Sequence, residues 1–88
     1  ITDEFILLDP FPNPAVGEIH FLFILPDAYT VNAQILDMRG RGTEVLFDGS
    51  ALKGLNKITY NTINLERGMY MLKLSYKGKN TTKLFMKE

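Results

Sequence analysis

The sequence predicts an all-β protein, specifically an immunoglobulin-like antiparallel β-sandwich of about seven short strands. Apolar and polar residues alternate along most of the chain, whereas no window longer than about two turns keeps the helical period. Clusters of Gly, Pro, Asn and Asp interrupt the apolar runs at roughly the 8–12-residue spacing that is typical of a sandwich. The 88 residues suffice for one packed core. We therefore expect one domain over residues 1–88, and a small barrel is the alternative architecture.

The first half of the chain contains three predicted strands. Residues 4–8 form a short apolar run, and residues 9–14 contain three prolines, which lack the N–H group that a strand ladder requires and so predict a crossing. Residues 18–25 are apolar on one face and nearly so on the other, which predicts a central strand. The sequence Pro-Asp-Ala at residues 26–28 predicts a turn. Residues 30–38 alternate between apolar and polar side chains and predict a half-buried strand.

Four more strands are predicted in the second half. The sequence Arg-Gly-Arg-Gly at residues 39–42 predicts a hairpin turn into a strand over residues 43–47, because glycine adopts the positive φ of such turns. Residues 48–54 are rich in small side chains and predict a loop, which is followed by a strand over residues 56–61. The remaining predicted elements are a turn at residues 65–68, a strand at 69–76, a tight turn at 77–80 and a last strand at 81–87.

The last predicted strand divides its side chains between two faces. Leu84 and Met86 lie on one face and Phe85 lies on the other, because side chains alternate along a strand. We expect Leu84 and Met86 to contribute to the core. Lys83 and Lys87 are four positions apart and therefore point to one face, where a partner could contact both.

Composition argues against several classes of function. Ten Lys and Arg residues balance ten Asp and Glu residues, so the chain lacks the broad positive field of a nucleic-acid or anionic-lipid binder. The absence of cysteine excludes disulfides, thiolate metal sites and cysteine nucleophiles. The longest apolar run, residues 21–25, is far shorter than the roughly 20 residues of a membrane-spanning helix. We predict no nucleic-acid partner and no membrane-spanning segment.

Catalytic chemistry finds little support in the residues. His20 is the only histidine, and its place within an apolar run predicts a strand residue on the less buried face. Ser50 and Ser75 have no other plausible base, and the carboxylates are scattered along the chain. We therefore predict no catalytic residue, no metal site and no cofactor.

The charges are distributed unevenly. Residues 1–38 contain six acidic residues and no Lys or Arg, whereas residues 67–88 contain six basic residues and one acidic residue, Glu88. Three explanations stay open: opposite charges that pair across strands, a basic last strand that a partner recognises, or lysines that protect an exposed edge strand from aggregation. An edge strand left unpaired could also join two copies as a homodimer.

Six short motifs occur in order along the chain. They are Phe11-Pro12-Asn13-Pro14, Leu25-Pro26, Ile35-Leu36-Asp37-Met38-Arg39-Gly40-Arg41, Gly54-Leu55-Asn56, Asn64-Leu65-Glu66-Arg67-Gly68-Met69-Tyr70 and Lys83-Leu84-Phe85-Met86-Lys87. Each motif alone has an ordinary explanation as a turn or a strand, but their order and spacing together are specific. From residue 5 to residue 88, this series resembles the type A C-terminal sorting domain of the type IX secretion system of Bacteroidetes. Glu66 stands where the family usually has Pro, and Leu84 and Phe85 replace small β-branched residues.

The resemblance implies a function in protein export. The domain would be the C-terminal sorting signal of a larger secreted protein, which passes through the periplasm to the cell surface or the medium. Its partners would be the type IX translocon and outer-membrane shuttle components, followed by a sortase-like cysteine protease that removes the domain from its cargo. The domain would be a substrate of this machinery and not an enzyme.

The motifs also supply the residues that we expect to matter for recognition. The crossing would be made rigid by its prolines, Gly68 would permit a turn, and Tyr70 would pack toward the core. The full set of candidate recognition residues is Pro12, Asn13, Pro14, Asp37, Gly40, Arg41, Gly68, Tyr70, Lys83 and Lys87.

The sequence also leaves a second function open. An immunoglobulin-like module of a secreted protein can instead bind carbohydrate or act in adhesion, and Tyr29, Tyr60 and Tyr76 are aromatic side chains that could contact a sugar.

Overall fold

The computed structural model describes residues 4–88, and within them the chain forms seven β-strands. In chain order these are β1 (Ile6–Leu7), β2 (Glu18–Leu25), β3 (Tyr29–Asp37), β4 (Gly42–Ala51), β5 (Gly54–Asn61), β6 (Gly68–Tyr76) and β7 (Lys79–Lys87). A short 3₁₀ helix, Thr62–Asn64, separates β5 from β6. No helix within the described residues is long and apolar enough to cross a membrane.

The strands form two antiparallel sheets. One sheet has three strands in the order β1-β2-β5, and the other has four strands in the order β4-β3-β6-β7. This arrangement confirms the predicted all-β sandwich, and because the sheets remain separate, the alternative barrel does not form. β2 is the central strand of its sheet, as its two apolar faces predicted.

The core lies between the sheets and is built from alternate residues of the long strands. In β2, Ile19, Phe21, Phe23 and Leu25 are buried, and the residues between them are not. The rings of Phe21 and Phe85 meet edge to face with their centroids 5.6 Å apart, so they join the two sheets directly. Each such fully buried apolar side chain contributes about 1.5–3 kcal/mol to stability. The remaining buried apolar residues are Leu7, Ala15, Val31, Ala33, Ile35, Ala51, Leu72, Leu74 and Tyr76.

β4 is longer than the sequence predicted. The predicted loop over residues 48–54 is wrong, because β4 continues to Ala51 and its small residues pair with β3. Asp48 lies opposite Asn32, and Ser50 lies opposite Thr30. Two register shifts between β3 and β4 break the alternation of apolar residues along β4, so the period-two signal that marks a strand is weak there.

The inward face of β7 is the opposite of the predicted one. Phe85 is fully buried, whereas Leu84 and Met86 are 51% and 43% exposed, so the expectation that these two residues enter the core is wrong. The register with β6 explains the difference. Phe85 lies opposite Tyr70 and stacks on its ring, and the two paired residues share the face that packs on β2. One aromatic ring therefore outweighs two aliphatic side chains in choosing the buried face.

Candidate functional site

Most of the candidate recognition residues lie at one end of the four-stranded sheet. β3 ends at Asp37, which pairs with Tyr70 near the start of β6. Gly68, the first residue of β6, pairs with Lys87, the last residue of β7. We call this region the motif end: it comprises these strand ends, the turn at residues 38–41 and the N-terminal crossing, residues 9–17.

The turn between β3 and β4 is organised by one carboxylate. Asp37 Oδ1 accepts hydrogen bonds from the backbone N–H groups of Arg39 and Arg41, each 2.9 Å long, and Oδ2 accepts a 3.0 Å bond from Arg41 Nε. Gly40 adopts a φ of 83°, which favours glycine. These bonds to the charged form, the Arg41 amide foremost, lower the pKa of Asp37 below its ordinary value of 3.8. The spacing of Asp37, Gly40 and Arg41 thus specifies this hairpin.

The turn before β6 is fixed by a tyrosine. Gly68 has a φ of 148°, and two residues later the Tyr70 hydroxyl donates a 2.8 Å hydrogen bond to the backbone carbonyl of Glu66. The Tyr70 ring stacks on Phe85 with a centroid distance of 5.8 Å. Because the acceptor is a backbone oxygen, the bond is available whether residue 66 is Glu or Pro.

The N-terminal crossing covers the free edge of β7 at its C-terminal end. Asn13 Oδ1 accepts a 2.9 Å bond from the Met86 N–H, and the Ala15 N–H donates a 2.7 Å bond to the Met86 carbonyl. The Glu88 N–H then donates to the Ala15 carbonyl at 2.8 Å, which completes a parallel bridge between Ala15 and Lys87. Asn13 lies between Pro12 and Pro14, and the peptide bond that precedes each of these prolines is cis. Ala15 is fully buried and carries no sequence signal that predicts this role.

The two lysines of the last motif lie on the inward-facing side of β7, together with Phe85. Lys83 pairs with Asp9 at 3.1 Å, and the Lys87 amine donates a 3.4 Å bond to the Val16 carbonyl. Both amines therefore contact the N-terminal crossing. Lys83 lies opposite Leu72, away from the other recognition residues, so it is the one member of the set that the motif end does not include.

Ion pairing accounts for part of the uneven charge distribution. Two of the three ion pairs within residues 4–88 join an acidic residue from the first part of the chain to a lysine from the last part: Asp9 with Lys83, and Asp27 with Lys77 at 3.6 Å. This result favours charge complementarity among the three explanations. Such exposed pairs are worth about 0–1 kcal/mol each.

Two further residues make specific contacts at the motif end, and the sequence predicted no structural role for them. Thr62 is fully buried and its hydroxyl donates a 2.6 Å bond to the Gly17 carbonyl. Tyr60 lies beside Glu44 of β4. Burial, reinforced by the hydrogen bond to the Glu44 carboxylate and its charge, raises the pKa of Tyr60 to about 12.

The tyrosines that suggested a sugar site do not form one surface. Tyr29 and Tyr76 contact each other edge to face at the opposite end of the sandwich, where the Lys77 amine lies 5.0 Å from the Tyr29 centroid. They line an open groove of about 530 Å³. Tyr60 pairs with Ile19 at the motif end, so it cannot contribute to that groove.

The polar residues weighed for catalysis are separated. His20 Nδ1 lies 2.9 Å from Thr59 Oγ1, and the His20 ring packs against Phe11 at a centroid distance of 5.3 Å. Ser75 bonds to Asn80, and Ser50 lies on β4. Within residues 4–88, no group of three His, Asp or Glu side chains is placed to hold a metal ion.

The two antiparallel sheets define the class of the protein as an all-β sandwich, and most of its motif residues lie at one end of that sandwich. Comparison with family models makes the class specific: the model described as a secretion system C-terminal sorting domain matches residues 10–88. The chain belongs to this family. Searches of curated proteins and of solved structures found no match.

Family membership defines the general role of the domain. It is a type IX secretion sorting domain, which interacts with the type IX machinery and directs export through the outer membrane to the cell surface or the medium. A sorting domain is not itself catalytic. The match begins at Pro10, so it covers all ten candidate recognition residues and leaves out β1 and Asp9.

Proposed function

We propose that this domain is the export signal of an attached cargo protein, and that the machinery recognises it in its folded form. The observation that carries the proposal is the junction between the N-terminal crossing and the end of β7. Asn13 and Ala15 form hydrogen bonds with Met86 and Glu88, so the crossing in the first part of the domain is bonded to the last strand. Residues 73 positions apart in the chain, Asn13 and Met86, therefore lie together only in the folded domain.

A reporter fusion tests the export function. Residues 1–88 are fused to the C-terminus of an unrelated periplasmic protein and expressed in a type IX-competent bacterium and in its translocon mutant. We expect the reporter at the surface or in the medium of the competent strain, and an intact fusion in the periplasm of the mutant. Retention of an intact fusion in the periplasm of the competent strain would refute the export function.

A pair of double variants tests whether the two lysines of β7 are read. Lys83→Ala with Lys87→Ala removes both amines, and Lys53→Ala with Lys57→Ala is the matched control, since Lys57 is on β5 and Lys53 immediately precedes that strand. Lys83→Ala loses one exposed ion pair, worth about 0–1 kcal/mol, and Lys87→Ala loses one 3.4 Å hydrogen bond, so we expect the domain to stay folded. We expect export to fall for the first pair only. Equal export of both variants would show that the lysines are not read.

We further propose that a sortase-like cysteine protease separates the domain from its cargo, which is then anchored to lipopolysaccharide or released. The cut falls N-terminal to β1, because strands β1 to β7 are held in hydrogen-bonded ladders and a protease requires an extended, unpaired substrate. N-terminal sequencing of the released domain should give a start before Ile6. A start at Ile6 or later would contradict this.

The homodimer stays a prediction, and we assign its edge to β4. Ala15 occupies the C-terminal part of the β7 edge, whereas β4 pairs with β3 on one side and ends its sheet. Sedimentation of the isolated domain, with Val45→Pro as the variant that blocks strand pairing, would test it. A dimer that persists in Val45→Pro excludes β4.

A further inference from the structure

The outward face of the four-stranded sheet is apolar at the motif end. Leu36, Met71 and Leu84 lie side by side across β3, β6 and β7, and Met69 lies opposite Met86 in the next row. Leu84, Met86 and Met69 are 51%, 43% and 37% exposed. We call these five residues the methionine face. An outward sheet face that only met water would carry polar side chains here.

The same face becomes polar within one row. Gln34, Lys73 and Thr82 form the row after Leu36, Met71 and Leu84, and the row beyond it consists of Asn32, Ser75 and Asn80. One set of strands therefore carries two kinds of surface, so strand formation alone does not explain the apolar half.

Methionine is concentrated at this place. The chain has four methionines, and three of them belong to the methionine face. The fourth, Met38, is 56% exposed in the turn two residues after Leu36. Methionine is flexible and polarisable, which suits it to a surface that must fit a partner, and a clustered exposed apolar patch marks an interaction site.

The charge beside this face indicates the chemistry of the partner. Lys73 is one row away on the same face, and Arg39 lies next to Met38 in the turn. Within residues 4–88, neither cation takes part in an ion pair. Asp37 is already occupied by Arg41 and by the amides of the turn. A second copy would offer the same cations, whereas a partner with carboxylates would complement them.

We propose that the methionine face is the surface through which the domain docks on the secretion machinery, on a protein surface that is apolar at its centre and acidic at its rim. This inference rests on the proposed export function and adds the place and the chemistry of the contact. It also gives β7 an outward surface that a partner can contact. That surface consists of Leu84 and Met86, whereas Lys83 and Lys87 point inward.

Two matched double variants test the docking surface in the same reporter fusion. Met71→Thr with Leu84→Thr removes one cross-strand apolar pair from the methionine face. Ile24→Thr with Leu55→Thr removes a comparable cross-strand pair from the outward face of the other sheet, again one half-buried and one exposed residue. Threonine keeps the preference for strand structure, so both variants should fold.

We expect the first variant to be exported at least about tenfold less than wild type, which is the typical effect of losing one apolar anchor of an interface. The intact fusion should accumulate in the periplasm and resist protease, and the control variant should be exported like wild type. Equal export of the two variants would overturn the docking proposal alone. Failure of the wild-type fusion to leave the periplasm would overturn the export function and this inference with it.

A charge variant keeps the test decisive if Met71→Thr with Leu84→Thr fails to fold. Lys73→Glu with Arg39→Glu leaves every apolar residue in place and should also reduce export, because it opposes an acidic rim. Unchanged export would exclude that rim. The remaining alternative is that a second copy of the chain covers the methionine face, and sedimentation of the isolated domain tests it. If the domain is a dimer and Met71→Thr with Leu84→Thr abolishes that dimer, the face belongs to a second copy and the proposal is overturned.

Discussion

The two ends of the sandwich are held together by different kinds of contact. At the motif end, polar side chains bond to the backbone: Asp37 to turn amides, Tyr70 to the Glu66 carbonyl and Asn13 to the Met86 amide. At the opposite end, aromatic rings pack on one another: the Tyr76 ring centroid lies 5.0 Å from that of Phe5 and 5.7 Å from that of Tyr29.

This difference explains why only one end is rich in motifs. A bond from a side chain to the backbone requires a particular residue type at a fixed distance from its acceptor, whereas ring packing accepts any large side chain in the right volume. Asn56 follows the same rule although it lies near the start of β5, at the opposite end: it belongs to a motif, and its side chain bonds to the Leu52 and Gly54 carbonyls.

The largest expected effect concerns the ring that anchors the motif end to the core. Phe85→Ala should lower the free energy of unfolding by about 3–5 kcal/mol, because it leaves a cavity under Tyr70 and Phe21, whereas Leu84→Ala should change it by only about 0.5 kcal/mol. Urea denaturation of both variants provides the measurement. If Leu84→Ala were the more costly change, β7 would be shifted by one residue, and Leu84 and Met86 would be buried.

The sequence predicted the strands better than it predicted which face of each is buried. In β2 and β6 only one face is apolar or aromatic throughout, and that face is the buried one; the strand bounds agree within a residue. In β7 the two faces compete, and the choice depends on Phe21, which lies in the other sheet and 64 positions earlier in the chain. Local periodicity contains no information about such a partner.

The junction of the crossing with β7 gives the next largest effect. Asn13→Ala should cost about 1.5 kcal/mol, at the upper end for one hydrogen bond, because the bonds of Ala15 to the same strand lose their support. Asn13→Asp keeps the Oδ1 acceptor and should retain most of the stability. Amide exchange of Met86 is a direct readout, and it should accelerate in Asn13→Ala. Unchanged exchange would mean that the crossing is held by its other bonds alone.

This junction marks the limit of the sequence-based prediction of the site. The hairpin of Asp37, Gly40 and Arg41 could be predicted because all its bonds lie within four residues. Asn13 and Met86 are 73 positions apart, so the sequence predicted a rigid crossing but not the strand that it covers.

Two tyrosine variants compare the ends directly. Tyr70→Phe removes the bond to the Glu66 carbonyl and should cost about 1 kcal/mol. Tyr76→Phe removes a buried hydroxyl that has no hydrogen-bond partner within residues 4–88, so it should be neutral or slightly stabilising. Thermal denaturation of the two variants suffices. Equal losses would show that Tyr76 has a polar contact and that the ends are built alike.

The smallest expected effect is a pH dependence of the free energy of unfolding, which arises from Asp37 at the motif end. Hydrogen bonds from the Arg41 and Arg39 amides lower the pKa of Asp37 from its ordinary value of 3.8. The folded pKa lies below the unfolded one, so this contribution to stability is fully present above the unfolded value and is lost as the pH falls through the folded value.

Asp37→Asn keeps an oxygen that can accept from both amides but does not titrate. Its free energy of unfolding should therefore depend less on pH below about 4 than that of wild type, while the two proteins differ only slightly at neutral pH. Urea denaturation at a series of pH values makes the comparison, and an identical acid dependence in both proteins would show that the turn is held by its backbone bonds and not by the charge of Asp37.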